Sequence, residues 1–533
     1  MHFNDHDLKQ FDENTLICMD ERVLRPLSIK LLADLRESRD RINQTSDNSS
    51  RPPGSDAPWK SATDKSEKAG TTDKDEKSDD TENTGLPVNL DHEEAPSPVG
   101  VDAPRTPNTL LTKGKQGKPI GAKGFGRTQT IAPTDTIYHY PCTCALCSAA
   151  LDKSLAKSYT AWDEIDICKR DADTYGIQFS CTRHIQQSIP CPCGHETREE
   201  PYRAPDNPLW VKVPLGQWHL FGSIFAAHTV MFKYRLRMSY AKIQEFWLDV
   251  CGIHISTGAI NALIAEAGRA AEPLEAELIQ EIEAAAIAYV DETSWKQSAK
   301  LYWLWVFVTG NTVLFSIGSR GREVFARFML TGRFTGKLMS DGYLVYREYA
   351  DRLRCWAHLI RKAQGLSDSV DRNVSATGKA MFDIFNLLMV LIFEARDAKE
   401  GALAALKSQG AEKLEALHLL CKLHCESPHK KLREFSRELL YDWDTIFCPV
   451  HNPHLPLTNN AAERALRHWV ISRRISYGTR TPAGSRVFTI LASVFGTCRL
   501  RNVAPLQFIG EVIAAARLGK PLPKLPMDKV VVV

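Results

Sequence analysis

Hydrophobic positions along this chain change period several times, and each change marks a boundary. Residues 23–42 (VLRPLSIKLLADLRESRDRI) place Leu24, Leu27, Leu31, Leu35 and Ile42 at near-helical spacing before the turn-rich NQTSDNSSRPPGSD. They predict a short amphipathic helix, either oligomerising, docking or simply solvated. From Leu215 to about Ala285 the spacing is helical again. Within it, MSYAKIQEFWLDVCGIHISTGAINALIAEAG reads as a helix over residues 240–248, a turn at Gly252, and a second helix capped by Ser256 or Thr257. The period then shortens. AAIAYVDETSW, LYWLWVFVTG and TVLFSIGSR predict three strands, REVFARFML a helix, KLMSD a fourth strand and RLRCWAH a fifth. Between about Ala376 and Tyr441, FDIFNLLMVLIFEAR and LEALHLLCKLHC restore the helical period, which predicts an all-α insertion.

Three strands, a helix and further strands is the order of a ribonuclease H-like α/β fold. The expected architecture is therefore multidomain α/β: a ribonuclease H-like mixed-sheet core, interrupted by an all-α insertion and preceded by a cysteine-rich segment and a helical domain. The boundaries read as 1–45 for the N-terminal helical segment, 46–135 for a linker and 136–200 for the cysteine-rich segment. A helical, helix-turn-helix-like domain follows over 201–285, then the core over 286–510 with its insertion at about 365–455, and a tail over 511–533. The proposed second helix of the helix-turn-helix carries mostly Ala, Ile and Leu, so packing explains it better than base reading, although Lys233, Arg235, Arg237 and Lys242 lie nearby.

Composition narrows the class. Apolar residues make up 43% of the chain, enough for packed cores, and the net charge is only +3, so a nucleic-acid role has to rest on where charges sit. Residues 60–124 contain no Phe, Tyr or Trp and are dense in Ser, Thr, Asp, Glu, Lys and Pro, which predicts disorder. The linker ends in Lys113, Lys115, Lys118, Lys123 and Arg127 without an acid, suited to a phosphate backbone or to a soluble tether. No uninterrupted apolar stretch reaches bilayer length, and MHFNDHDLKQ lacks an export signal, so a cytoplasmic, nucleoid-associated location is expected. In that reducing compartment the 14 cysteines, clustered between Cys142 and Cys193, point to metal rather than disulfides.

Spacing suggests which cysteines. Cys144 and Cys147 form a Cys-x-x-Cys pair, and Cys181 with His184 offers a second pair to complete a tetrahedral structural Zn²⁺ site. Cys191, Cys193 and His195 are the competing second pair, with Cys142 and Cys168 also in the segment. Cys421, Cys425, His418 and His424 sit in a Leu-rich helical setting, where packing is the better explanation.

Three acids carry the candidate chemistry. Asp291 closes the first predicted strand, Asp341 follows the fourth, and Glu463 opens a helix in LTNNAAERALRHWVISRR. In the expected topology the first two fall side by side and the third crosses to meet them. Close carboxylates stay ionised together only when cations neutralise them, and oxygen ligands select Mg²⁺ or Mn²⁺. Two such ions, about 3.5–4 Å apart, would activate a water or a DNA 3′-hydroxyl and stabilise the leaving oxygen. From Asn459 to Arg501 there are eight arginines and one acid, Glu463. Of these Arg464, Arg467, Arg473, Arg474 and Arg480 are the expected DNA cradle.

These motifs together resemble an insertion sequence 66 transposase of the Asp-Asp-Glu superfamily. The resemblance is carried by NSSRPPGSD, the cysteine block, VDET, SDGYLVY, CWAHLIRKA and TNNAAERALR, and covers most of residues 40–510. It implies that Asp291, Asp341 and Glu463 are the metal-binding catalytic triad. It also implies that Cys144, Cys147, Cys181 and His184 fall where the family has a zinc-binding segment with paired cysteines, from which His184 departs. Cys355 and His358 resemble a Cys-x-x-His signature that supports the active site in related transposases; two ligands alone cannot close a zinc site. The implied reaction is hydrolysis at each end of a bacterial element, then transesterification of the 3′-hydroxyl ends into target DNA. Terminal inverted repeats and target DNA are the expected partners, along with a homo-oligomer on DNA and accessory proteins of the same element. A same-fold nuclease and a domesticated, non-catalytic DNA-binding protein are the rival readings.

Overall fold

The structure, a computed structural model, describes residues 19–42, 132–168, 176–199 and 219–527. The expected disordered linker and its basic run, Lys113 to Arg127, lie outside the described residues.

The cysteine-rich segment builds a first mixed sheet from β1 (Asp135–His139), β2 (Lys157–Ile167), β3 (Phe179–Pro190), β4 (Glu196–Arg198) and β5 (His219–Phe221). Its order is β1-β3-β2-β5, with β4 on β3. Helices α2 (Ser223–Tyr234), α3 (Tyr240–Asp249), α4 (Thr257–Ala271) and α5 (Leu274–Glu283) follow, and α1 is Glu21–Ile42. The two helices predicted there are present as α3 and α4, with Ser256 accepting a hydrogen bond from the Ala259 N–H as the cap of α4. Its second helix is committed to packing: Ile260, Leu263, Ile264 and Ala267 are buried. At Gly268 an added Cβ would lie 2.6 Å from Val487, so only glycine admits the helix behind it.

The second sheet comprises β6 (Ile287–Gln297), β7 (Lys300–Val308), β8 (Val313–Gly318), β9 (Lys337–Ser340) and β10 (Arg352–Arg354), in the order β10-β9-β6-β7-β8. Strands β6, β7 and β8 are antiparallel, whereas β9 and β10 run parallel to β6 after the crossover through α6 (Arg322–Met329). The continuous apolar runs of β7 and β8 fit burial on both faces. Trp305, Phe307 and Phe315 are all under 3% exposed, each contributing roughly 1.5–3 kcal/mol of burial. The edge strand β8 is covered by α13 (Pro482–Leu500), whose Ser493 and Thr497 hydroxyls accept from the Phe315 and Val313 N–H groups at 2.8 and 3.1 Å. That cover satisfies a strand edge that would otherwise invite pairing.

The insertion consists of α7 (Trp356–Ser367), α8 (Arg372–Arg396), α9 (Ala402–His424), α10 (Lys430–Tyr441) and α11 (Trp443–His451), with its own core of Trp356, Met381, Phe385, Leu406, Leu417 and Phe435. Cys421 is part of that core and burial pushes its thiol up to about 12, in keeping with packing rather than ligation. Among the described residues, helix α8 is long and apolar enough by length and composition to cross a bilayer, although Lys379 and Asp383 interrupt its apolar run. Its Met381, Phe385, Leu388 and Ile392 face the core of the insertion instead. The chain returns to the sheet through α12 (Asn460–Ser476), then α13 and α14 (Pro505–Arg517). Helix α1 packs against the insertion through Arg36 to Asp371 at 3.0 Å and Asp40 to the Ser369 hydroxyl at 2.7 Å.

Candidate functional site

The parallel pairing of β6 with β9 matches Ile287 to Lys337, Ala288 to Leu338 and Tyr289 to Met339. Carrying the same offset two residues past the ladder sets Asp291, inside β6, level with Asp341, just past the end of β9, so two acids fifty positions apart meet there. Asp341 is fixed by the Tyr343 N–H donating to its Oδ1 at 2.9 Å. Glu463 arrives from the first turn of α12, where Ala462, Leu466 and Trp469 form the buried face of the helix. The start of α12 is tied to the aspartate strand by Asn459, 1% exposed, whose Nδ2 donates to the Val290 carbonyl at 2.8 Å.

The electrostatics of this edge are one-sided. Burial, then the charges of Asp341 and Glu292, drive the Asp291 carboxyl well above the usual range, and Glu463 adds to the effect. Burial likewise raises Asp341, against the pull of Arg354, Lys362 and Arg320. Carboxyls so placed hold a proton more readily than free ones, and a bound cation would offset the same crowding of charge. The donor set fits a hard divalent ion.

Glu463 stands beside this pair without sharing one tight shell with it. Among the described residues, only two groups of three or more ligand-type side chains have all their ligand atoms within 4.8 Å of one another. One of them joins Glu463 to Cys355 and His358 rather than to the aspartates. Glu463 Oε1 lies 3.9 Å from both His358 Nδ1 and Arg361 Nη2. Burial and the Arg361 charge pull the His358 imidazole down to about 4, so at neutral pH this approach is not an ion pair.

A fourth acid escaped the reading of the sequence. Glu292, with a side chain 3% exposed, is pushed up to about 7 by burial and by the Asp341 charge. It accepts from the Tyr346 hydroxyl and from Arg320 Nε and Nη2 at 3.2 and 3.1 Å. Arg320 is in turn held between the rings of Trp303 and Tyr343, 4.2 and 4.4 Å from their centroids. Because Tyr343 and Tyr346 lie on the loop after Asp341, Glu292 clamps that loop to the strand bearing Asp291. The signal was present in the sequence as the second acid of VDET and the two tyrosines of SDGYLVY.

The other tight group is Cys144, Cys147, Cys191 and Cys193. This corrects the expected ligand set: Cys181 and His184 do not join the Cys144–Cys147 pair. Both lie within β3, three residues apart, and a strand sends such a pair to opposite faces. Cys181 is buried in the main core and His184 stacks on Trp162 at 4.9 Å. Cys191 and Cys193 instead occupy the turn between β3 and β4, shaped by Gly194 at φ +89° and by the Gly194 N–H bonding the Cys191 carbonyl at 2.9 Å. The Sγ atoms of Cys144 and Cys193 are 3.7 Å apart, and those of Cys147 and Cys191 3.5 Å. A tetrahedron with Zn–S bonds of about 2.3 Å has edges of about 3.8 Å, so the four sulfurs fit Zn²⁺. Backbone N–H groups, first that of Cys147, hold the Cys144 thiol down to about 6 and favour its ligating form.

Of the five arginines of the expected cradle, Arg473 is bonded within the fold. Arg473 donates to the Thr293 hydroxyl at 2.8 Å and to the Ser294 carbonyl, and so joins α12 to β6. Arg486 binds Glu272 and Glu275, and Arg501 binds Glu281 and the Asn311 carbonyl. Arg464, Arg467, Arg474 and Arg480 are exposed.

The family pattern described as Transposase IS66 family matches residues 219–487, just over half of the chain and inclusive of Asp291, Asp341, Cys355, His358 and Glu463. A family of unknown function, DUF6444, matches residues 9–86. A Sinorhizobium fredii (strain NBRC 101917 / NGR234) protein, y4qI, bearing the name uncharacterized protein, is 25% identical over 221 residues, 38% of this chain and 39% of that relative. A second from the same strain, y4hP, is 32% identical over 76 residues, 14% of each. The chain thus spans well under half the length of the curated relatives it matches. With the match to residues 219–487, this chain belongs to the IS66 transposase family.

Proposed function

We propose that the chain is a DNA transposase that cuts phosphodiester bonds at the ends of a mobile element and joins the resulting 3′-hydroxyls to target DNA, with Asp291, Asp341 and Glu463 as its catalytic acids. The observation that carries this reading is the placement of Asp291 and Asp341 level with each other on adjacent parallel strands, both with raised carboxyls. Strand order with the crossover through α6 supports a ribonuclease H-like core. Asp291, Asp341 and Glu463 would hold Mg²⁺ or Mn²⁺, which when bound supplies the charge that activates a nucleophilic oxygen and stabilises the departing one. Asn459 and Arg473 keep the glutamate helix against β6 at both of its ends. Glu292, Tyr346 and Arg320 hold the Asp341 loop. Exposed Arg464, Arg467, Arg474 and Arg480 supply phosphate contacts along α12 and beyond it. The four-cysteine cluster would hold a structural Zn²⁺.

The test incubates purified full-length protein with labelled element ends, target DNA and Mg²⁺. Joined products are expected. Cleavage without joining would reassign the chain as a nuclease, and a mobility shift without either product as a DNA-binding protein.

A further inference from the structure

Cys355 and His358 are two ligands that by themselves cannot close a metal site, and the fold supplies a third. The ligand atoms of Cys355, His358 and Glu463 all lie within 4.8 Å of one another. Cys355, 1% exposed, is the N-terminal cap of α7, and its Sγ accepts from the Asn459 N–H at 3.2 Å. His358 Nδ1 is buried and has no hydrogen-bond partner, which leaves a lone pair or proton unsatisfied beside Glu463. The elements carrying these groups are firmly placed. Trp356 donates its backbone N–H to the Leu457 carbonyl and its indole N–H to the Ile446 carbonyl, both at 2.8 Å, while Asn459 holds the start of α12 to β6.

A sulfur, an imidazole nitrogen and one carboxylate oxygen form a soft-to-borderline donor set. Zn²⁺ accepts three such ligands and leaves a fourth position open, whereas Mg²⁺ asks for oxygen alone. We propose that Cys355, His358 and Glu463 form a zinc site distinct from the four-cysteine cluster, and that zinc held there keeps Glu463 from serving the aspartate pair. The binding stands on the geometry of the three ligands. Its consequence for chemistry rests on the reading of Glu463 as the third catalytic acid. Arg361, 3.9 Å from the same carboxylate oxygen, is the cation that a bound zinc displaces. One glutamate is thereby shared between a hard-ion role and a soft-ion role that exclude each other, and zinc becomes an inhibitor that acts through α7.

The experiment titrates full-length protein with Co²⁺, the visible probe for zinc, and counts ions per chain in wild type, C355A and H358A. Each variant is expected to bind one ion fewer than wild type, and C355A to lose the matching part of the thiolate-to-cobalt absorption. An unchanged count in either variant overturns the site. Should C355A fail to fold, as its melting curve would show, H358A carries the test, because its ring is not among the core side chains. In a parallel arm, Zn²⁺ is added to Mg²⁺-dependent cutting of labelled DNA. Inhibition that tracks the extra ion supports the shared glutamate, and full activity with that ion bound overturns it. Absence of all cutting, with the cobalt count as expected, would sink the transposase reading and leave the zinc site standing.

Discussion

Asp442, buried, and Asp291, half-buried, are acids attached to the same sheet, and they are surrounded in opposite ways. Asp442 lies under Arg352 and Arg354 from β10 and 3.5 Å from Arg347, with no side-chain exposure at all. Its neighbour Glu438 meets Arg354 and, at 2.7 Å, Lys362. Burial alone would raise Glu438, yet Lys362 and Arg354 outweigh it and hold that carboxyl low. Around Asp291 the strongest charges, Asp341 and Glu292, are negative, and its carboxyl is driven up. The first cluster welds the insertion to the end of the sheet. The second keeps a surplus of negative charge that its hydrogen bonds do not neutralise, an arrangement suited to a cation.

The sharpest way to break this comparison is to neutralise one acid in each cluster. Asp291→Asn removes a proposed metal ligand and should lower the rate of DNA cutting by about 10³-fold or more, several kcal/mol of lost charge stabilisation. The same change relieves repulsion, so the metal-free protein should melt at a higher temperature than wild type. Asp442→Asn should do the reverse to stability, at a cost of about 3–5 kcal/mol, because three arginines lose their buried partner. Thermal melts of both variants without divalent ions read the crossing directly. If both fall, the aspartate edge is as balanced as the weld.

Changing pH sharpens the same contrast. Asp291, Asp341 and Glu292 have folded values above their unfolded ones, so the folded state binds extra protons and its stability declines as pH rises. For Glu292 that window runs from its ordinary 4.5 to about 7. Glu438 has the opposite sign: its contribution is present above 4.5 and is lost as pH falls below it. Metal-free protein should therefore lose melting temperature between about pH 4.5 and 7, and Mg²⁺ or Mn²⁺ should restore it. A metal-free curve that rises across this interval would contradict the charge assignment.

Next in size is the clamp. Glu292→Gln keeps an acceptor for Tyr346 and Arg320 but removes the charge, and supporting residues of this kind change metal affinity by about 10–100-fold when altered. The half-saturating Mn²⁺ concentration, read by binding and not only by cutting, should shift within that range, while affinity for DNA stays level. A shift in DNA affinity alone would place Glu292 elsewhere in the function.

The two clusters were not equally visible in the sequence. Asp341 follows a strand and Glu463 opens a helix, as period and turn residues suggest, and β6 to β10, α6 and the α3–α4 pair lie close to where the pattern puts them; Asp291, expected to close its strand, sits inside β6, which runs on to Gln297, and the strands of the first sheet had no such signal. The weld was hidden because Arg354 and Asp442 are remote in sequence and single charges in mixed surroundings carry no period. Glu292 was hidden for a different reason: beside Asp291 in a strand it points to the opposite face, where only the fold discloses Arg320 and Tyr346. Residue spacing favours Cys181 and His184 over Cys191 and Cys193 as partners of Cys144 and Cys147 because it carries no information about secondary structure. A strand over FSCTRHIQQSIP would have separated Cys181 from His184 and directed attention to the turn at Gly194.

The arginines of α12 divide along the same line, and their effects are the smallest and most graded. Arg473 is spent inside the fold on Thr293 and Ser294, whereas Arg464 and Arg467, three residues apart on the outer face, are exposed. A phosphate contact releases counterions and an internal hydrogen bond does not, so the two kinds separate in salt. Each of Arg464→Ala and Arg467→Ala should weaken binding to any duplex and reduce the slope of log affinity against log salt by about 1. Arg473→Ala should leave that slope unchanged and lower the melting temperature instead, since it loosens α12 from β6. Fluorescence anisotropy of labelled duplex across a salt series, paired with melts, distinguishes them. If Arg473→Ala alone flattens the slope, the guanidinium leaves Ser294 for DNA on binding, and the division between closed and open charge is redrawn by the ligand itself.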